Sequence, residues 1–135
     1  MNVEELAEYA VELKTKHGHN CCQAVAVALS SETNLSEDTL RAITAGFGVG
    51  MGTMEATCGS LIGAGIIAGL KTDGKGTIKL NSLILKHFCK LSGAVTCKEL
   101  KGRDTGAVLC PCDQCVQNAV KAYYLGVSRV LDSVE

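Results

Sequence analysis

Apolar residues recur every three or four positions through most of the chain, which is the spacing of amphipathic helices rather than strands. Val3, Leu6, Ala10 and Leu13 follow this spacing and predict a first helix that ends near Gly18. No run alternates apolar and polar residues for long enough to indicate a strand, and neither an internal repeat nor a domain linker is evident. The pattern predicts an all-α fold.

Capping residues mark the starts of three further helices. Asn20 followed by Gln23 has the spacing of a capping box, and Thr96 followed by Glu99 has the same spacing. Ser36 precedes two acidic residues, which favours a helix that begins there and ends near Gly46.

Glycine and proline delimit the remaining elements. After a glycine-rich loop, Thr53 and Glu55 are predicted to open a fourth helix that runs to about Leu70. A fifth helix is expected over 77–91, and Pro111 fits the first position of a last helix. We therefore expect one cysteine-rich helical domain, residues 1–135, built as an irregular bundle of six or seven short helices around the glycine-rich fourth helix.

The predicted fourth helix contains four glycines, each of which costs about 1 kcal/mol relative to alanine. They are Gly59, Gly63, Gly65 and Gly69. Such a helix requires tight packing, and small residues four apart allow another backbone to approach closely. The partner is a neighbouring helix or a second subunit, and we expect a homodimer.

The composition argues against several classes of function. The net charge is −1 and aromatic residues make up 4%, so we expect no nucleic-acid partner. The longest apolar stretch, residues 57–70, has about 14 residues and is too short to span a membrane. The N-terminus lacks a signal-peptide pattern, so we expect a cytoplasmic protein. Eight cysteines in a reducing compartment indicate metal binding or catalysis rather than a disulfide scaffold.

Four cysteines have positions that favour ionisation. Cys21, Cys97 and Cys112 each stand beside a predicted helix start, and Cys58 lies five residues beyond Thr53. The partial positive charge of a helix N-terminus stabilises a thiolate, which is the form that reacts or binds metal. We predict that these four thiols form one site.

The densest cysteine cluster lies near the C-terminus. Cys112 and Cys115 have C-x-x-C spacing, which allows two sulfurs to share a metal or to form a disulfide, and Cys110 is close by. Further ligands would come from the other predicted site cysteines. Cys22 and Cys89 are expected to be ordinary core residues.

The glycine loop 46–52 is not a nucleotide-binding motif, because a helix rather than a strand precedes it. Its amides are instead expected to approach the sulfurs, and Gly48, Gly50 and Gly59 are the candidate cofactor-contacting glycines. His17, His19 and His87 are either ligands or surface residues.

The ordered segments resemble a bacterial and archaeal family of redox-active proteins named for the cysteine pattern C_GCAxxG_C_C. The matching segments are 20–25, 46–52, 58–63, 97–100 and 112–120. The resemblance implies that Cys21, Cys58 and Cys97 are the first three family cysteines, with Cys112 as the fourth and Cys115 as its rival. Ser60 replaces the usual alanine. Some relatives are similar to a cytochrome domain with an iron–sulfur centre, which favours iron–sulfur over zinc.

Several functions remain consistent with these residues. The first is a redox-active protein with an unknown redox partner, whose cysteines carry electrons through an iron–sulfur cluster or cycle between dithiol and disulfide. The second is a structural zinc domain that binds a partner, and the third is an interaction module with cysteines in its core. A transporter-associated accessory protein is a weaker alternative. Without a C-x-x-C-H motif, no haem is expected.

Overall fold

The computed structural model describes residues 1–134, over which the chain forms seven α-helices. These are α1 (Val3–Lys16), α2 (Cys21–Ala28), α3 (Glu37–Thr44), α4 (Gly59–Thr72), α5 (Thr77–Ser92), α6 (Cys97–Lys101) and α7 (Cys112–Val134). Over the same residues the extended pairing amounts to one antiparallel bridge, between Thr57 and Thr96. The predicted all-α fold is confirmed.

Two of the predicted caps are present. Asn20 and Gln23 form a reciprocal capping box at the start of α2, and the Ser36 side chain accepts from the Thr39 amide at the start of α3. The capping box predicted for Thr96 is wrong, because its side chain caps no amide. Pro111 lies one residue before α7 rather than inside it, and its carbonyl accepts from the Cys115 amide at 2.9 Å.

The predicted start of the fourth helix is also wrong. Instead of beginning at Thr53, α4 begins at Gly59, and Cys58 is its N-cap. The preceding backbone is left-handed at Val49, Met51 and Met54 as well as at two glycines, so no right-handed helix can run through it. Cys58 therefore lies at a helix N-terminus, not inside a helix.

The glycines of α4 allow the close packing that the sequence required. This helix packs against α2, α5 and α7. A Cβ on Gly63 would lie 2.7 Å from the Cys22 carbonyl oxygen of α2, and one on Gly65 would lie 3.3 Å from Asn81 Nδ2 of α5. Neighbouring helices thus cross α4 within one chain. The homodimer stays a prediction.

The longest helix, α7, contacts several of the other helices. It packs against α1, α2, α4 and α5, and its Tyr123 hydroxyl, deep in the core, donates to Glu32 at 3.0 Å. This packing holds the N-terminus of α7 beside those of α2 and α4. Among the described residues, no helix is both long enough and apolar enough to cross a bilayer.

Candidate thiol site at the helix N-termini

Four cysteines lie at the N-termini of four helices. Cys21, Cys97 and Cys112 are the first residues of α2, α6 and α7, and Cys58 is the N-cap of α4. All four are buried or half-buried, and all are free thiols. The fold brings these sequence-distant residues into mutual electrostatic range.

A short backbone ladder fixes two of these cysteines. The Cys58 amide donates to the Val95 carbonyl at 2.7 Å, and the Cys97 amide donates to the Ala56 carbonyl at 3.1 Å. These bonds flank the bridge between Thr57 and Thr96. The starts of α4 and α6 are therefore held side by side by main-chain hydrogen bonds, independently of any sulfur chemistry.

The thiols of Cys21 and Cys112 interact across the α2 and α7 N-termini. Donation by Cys112, despite the opposing effect of burial, lowers the pKa of Cys21 to about 5, with help from the Val49 and Cys22 amides and the Lys101 charge. The same bond, together with burial, raises the pKa of Cys112. At neutral pH the pair is one thiolate and one thiol. We call Cys21 and Cys112 the outer pair, because Cys112 is partly exposed.

A second pair lies deeper, between Cys58 and Cys115. Hydrogen bonding from Cys115, offset by burial and supported by Ser60, lowers the pKa of Cys58 to about 7. A bond of 3.3 Å joins Cys58 Sγ to Ser60 Oγ. The pKa of Cys115 is raised by its bond to Cys58 and by burial, and its thiol also donates to the Cys110 carbonyl at 3.5 Å. With exposures of 5% and 2%, these residues are the inner pair.

A left-handed turn lies beside the sulfur of Cys21. Val49 has φ 54° and ψ 42°, and Gly50, Met51 and Gly52 also have positive φ. This backbone is strained for a β-branched residue. It directs the Val49 amide toward the Cys21 sulfur, so a strained segment stabilises the thiolate.

At each of the three candidate glycines the neighbouring atoms leave no room for a side chain. A Cβ on Gly59 would lie 2.6 Å from Cys21 Sγ, one on Gly50 would lie 2.8 Å from Cys97 Cβ, and one on Gly48 would lie 2.6 Å from Asn20 Cγ. Gly59 and Gly50 thus touch site cysteines, whereas Gly48 touches the residue that caps α2. Their role in holding a cofactor stays a prediction.

Cys97 differs from the other site cysteines. Burial, opposed by Lys101, raises its pKa, and no thiol partner pairs with it as in the two pairs described. The expectation of depressed pKa values thus holds for Cys21 and Cys58 but is wrong for Cys97 and Cys112. At Cys97 the effect of burial on the pKa exceeds that of the helix N-terminus. At Cys112 the interaction with the Cys21 thiolate, together with burial, exceeds it.

Two lysines near the outer pair were missed by the sequence analysis. Lys101 acts electrostatically on Cys21, Cys97 and Cys112. Lys14 interacts with Cys21 and Cys112 and forms a 3.0 Å salt bridge with Asp113. The i, i+4 spacing from Cys97 could have indicated Lys101, but nothing in the sequence links Lys14 to the cysteines.

The remaining cysteines and histidines are scattered. Cys22 is fully buried, as expected, and burial raises its pKa to about 12. The core prediction for Cys89 is wrong, because the residue is exposed. Cys89 follows Phe88, which lies on the buried face of α5, and one residue turns a side chain by about 100°. His19 is buried and its Nδ1 lies 3.1 Å from the His17 carbonyl.

The donor set of the site consists of thiols, which iron–sulfur clusters and zinc both accept. In this arrangement Cys21 interacts with Cys112, and Cys58 interacts with Cys115. Over the residues that the structure describes, no group of three or more His, Cys, Asp or Glu side chains is placed to hold a metal ion. The geometry as it stands therefore suits paired thiols better than a tetrathiolate centre.

The fold and the site together define an all-helical, cysteine-rich protein whose thiols meet at helix N-termini. The family described as Putative redox-active protein (C_GCAxxG_C_C) matches residues 19–124, and the chain belongs to that family. The predicted resemblance is confirmed, and with it the general redox-active character. Comparison with curated proteins and with solved structures gave no match.

Proposed function

We propose that the protein carries out thiol–disulfide exchange, with Cys21 as the attacking thiolate and Cys112 as the resolving thiol. The observation that supports this most is the outer pair itself. The neighbouring Cys112 thiol lowers the pKa of Cys21 to about 5, whereas the pKa of Cys112 is raised, so Cys21 is the more acidic of the two thiols. An attacking thiolate beside a resolving thiol is the arrangement that such exchange requires.

The exchange proceeds in two displacements. The Cys21 thiolate attacks one sulfur of a substrate disulfide, forming a mixed disulfide and releasing the other half of the substrate as a thiolate. That thiolate takes the proton of Cys112. Cys112 then attacks Cys21 Sγ, forming the Cys21–Cys112 disulfide and releasing the second substrate thiolate. The protein loses two electrons and the substrate disulfide gains them.

The surroundings of Cys21 limit the substrate to a small one. Cys21 is 5% exposed, and the left-handed turn at Val49 lies beside its sulfur. A sulfur held in a folded protein surface could not reach it without displacement of that turn. A low-molecular-weight disulfide with unhindered sulfurs requires the smallest displacement, and Lys14 and Lys101 favour one that carries a carboxylate.

The proposal is tested by mixing reduced protein with oxidised glutathione and measuring thiol release. We expect one substrate disulfide to be reduced rapidly per outer pair. Cys21→Ser should abolish this rapid phase, whereas Cys112→Ser should stop at a mixed disulfide on Cys21, detectable as an added glutathione mass. Cys89→Ser is the matched control and should behave as wild type, because Cys89 lies outside the site. Unchanged kinetics in Cys21→Ser would overturn the proposal.

The second candidate function is electron transfer by an iron–sulfur cluster, which the thiol donor set and the predicted resemblance support. It requires Cys21, Cys58, Cys97 and one of the α7 cysteines to converge from their present pairs. Anaerobic purification decides it: stoichiometric iron with broad absorbance near about 400 nm supports the cluster. Stoichiometric zinc without a redox couple would instead support a structural domain.

A further inference from the structure

We propose that a cavity between α1 and α3 binds a free α-amino acid, with the ligand's ammonium on His19 and Glu37 and its carboxylate on Arg41. The cavity has a volume of about 370 Å³, and six residues of α1, α3 and the turn after α1 line it: Tyr9, Leu13, His17, His19, Glu37 and Arg41. None of these six is a cysteine, so the proposal goes beyond the thiol exchange and does not depend on it.

His19 is the polar side chain that is buried in the wall of this cavity, since it is 8% exposed. The chain leaves α1 at His17 and turns through Gly18, whose φ is 73°. The His19 amide then donates to the Leu13 carbonyl at 3.2 Å. The imidazole is fixed as well, because its Nδ1 lies 3.1 Å from the His17 carbonyl oxygen. The turn therefore holds both the backbone and the ring of His19 in place.

The contact at Nδ1 defines what the other ring nitrogen of His19 can do. A carbonyl oxygen can only accept, so Nδ1 carries the hydrogen, and in the neutral ring Nε2 is an acceptor. Among the described residues, Nε2 has no hydrogen-bond partner, and the side-chain polar atom that is both sealed and unpartnered there is Asn81 Oδ1. His19 Nε2 is therefore open to the cavity that its ring lines, and it can accept a hydrogen from a ligand.

Two opposite charges stand one turn apart on α3 at the same cavity. Glu37 and Arg41 have i, i+4 spacing, which places their Cβ atoms about 5–6 Å apart and commonly allows an ion pair. Here Arg41 Nη2 pairs with Asp38 instead, and Glu37 forms no ion pair with any residue that the structure describes. A guanidinium has five donors, so Arg41 keeps several for a ligand. The cavity thus presents an unpaired carboxylate beside a cation with free donors.

This combination of groups selects a zwitterion. A simple anion would be repelled by Glu37 and a simple cation by Arg41. An α-amino acid carries an ammonium and a carboxylate on one carbon, which suits two opposite charges spaced by one helical turn. Its ammonium has hydrogens for both the Glu37 carboxylate and His19 Nε2, and Leu13 supplies an apolar wall for its side chain.

The size and the donor set of the cavity support a small organic ligand. A volume of about 370 Å³ lies in the range of small-molecule sites. A metal ion fits less well, because over the described part of the chain no three His, Cys, Asp or Glu side chains are placed to hold one.

The test is isothermal titration calorimetry of the reduced wild-type protein with L-leucine, together with the nitrogen chemical shift of His19 Nε2. We expect one saturable site per chain and a movement of the Nε2 resonance on binding. N-acetylleucine lacks the ammonium and leucinamide lacks the carboxylate. Each should bind at least about ten-fold more weakly, which is the loss expected when a hydrogen bond between charged groups is removed.

Substitutions on α3 assign the two charges. Glu37→Gln and Arg41→Met should each weaken L-leucine binding by about ten-fold or more. Glu99→Gln and Arg129→Met are the matched controls, because neither residue lines the cavity, and both variants should bind as wild type.

The proposal is overturned if neither L-leucine nor any other standard amino acid saturates the protein, or if N-acetylleucine and leucinamide bind as tightly as L-leucine. A zinc titration that moves the Nε2 resonance where amino acids do not would assign the cavity to a metal and would overturn it as well. The comparison of the three leucine compounds uses only the wild-type protein, so it decides even where a variant misfolds. Each of these results leaves the exchange at Cys21 unaffected.

Discussion

Gly59 lies directly against the sulfur of Cys21. A Cβ at this glycine would be 2.6 Å from Cys21 Sγ and also 2.6 Å from the Phe47 carbonyl oxygen. A sulfur on a short side chain and a backbone carbonyl cannot both move aside, because Phe47 belongs to the segment that enters the left-handed turn. The first residue of α4 thus sets how closely the N-termini of α2 and α4 approach.

Gly59→Ala should therefore disturb both stability and thiol chemistry. We expect the free energy of unfolding to fall by about 2 kcal/mol, since inserting a methyl group into a filled space typically has such a cost. Cys21 should also be displaced from Cys112, and its alkylation at pH 7 should slow. Gly46→Ala is the matched control, since nothing lies within 4 Å of its Cβ position and its φ is not positive. Equal effects in both variants would contradict the packing argument.

The ionisation of Cys21 predicts the pH dependence of its alkylation. Because hydrogen bonding from Cys112 lowers its pKa to about 5, labelling of Cys21 by iodoacetamide should be independent of pH above about 6 and should fall as the solution is acidified through 5. Cys58 should show its own inflection near 7. Quantitative peptide mass spectrometry on reduced protein gives both profiles.

A substitution of Lys101 tests one cause of the lowered Cys21 pKa with the same alkylation measurement. Lys101→Met removes a cation that lowers the Cys21 pKa, so the inflection should move to higher pH. Lys98→Met is the control, because Lys98 pairs with Glu55 at 3.1 Å on the exposed surface. A profile that stays in place in Lys101→Met, or that moves equally in both variants, would contradict this assignment.

The same ionisation links stability to pH. Cys21 and Cys58 have lower pKa values in the folded protein than the ordinary thiol value of 9.0. Between pH 5 and 9 the unfolded chain therefore binds more protons than the folded one, and stability rises with pH. Above this range the slope reverses, because the pKa values of Cys22, Cys112 and Cys115 are raised.

Urea unfolding of the reduced protein between pH 6 and 8 measures this slope. We expect a gain of about 1 kcal/mol or more per pH unit, corresponding to the release of at least one proton on folding. Cys21→Ser should remove most of the slope below pH 7. A stability that falls over this interval in the wild type, or a slope that Cys21→Ser preserves, would show that Cys21 is not a thiolate in the folded state.

The strained turn predicts a stabilising substitution. Val49 has a φ of 54° and its side chain is 46% exposed, so Val49→Gly should relieve strain while it removes little packing. We expect the free energy of unfolding to rise by about 1 kcal/mol, the difference between the strain of a left-handed β-branched residue and the entropy cost of glycine. Val108→Gly, at a residue that is 60% exposed and lacks a positive φ, should bring no gain. Equal shifts in thermal unfolding would argue against strain at Val49.

The sequence predicted the elements whose signals are local. Asn20 and Gln23 form the capping box that their spacing indicated, and α2 begins at Cys21 as a result. Helix periodicity and caps are encoded within a few residues, so they can be read without tertiary information. The proximity of cysteines to helix starts was visible for the same reason.

The sequence could not predict features that depend on distant segments. The helix α4 begins at Gly59, later in the sequence than predicted, because Thr57 pairs with Thr96 and because the 49–54 backbone turns left-handed. The division of the thiols into two pairs depends on how α7 crosses α2 and α4, which no local signal encodes. Lys14 reaches the outer pair only through the packing of α1 on α7.

The central claim is that the thiols of Cys21 and Cys112 are partners, and disulfide mapping tests it most directly. The reduced protein would be equilibrated in anaerobic glutathione buffers of increasing oxidised fraction, acid-quenched, alkylated and digested. We predict that a peptide containing the Cys21–Cys112 disulfide appears in wild type, with Cys22 and Cys97 still alkylated as free thiols. The account is contradicted if Cys21 and Cys112 stay unlinked at every potential or become joined to other cysteines instead.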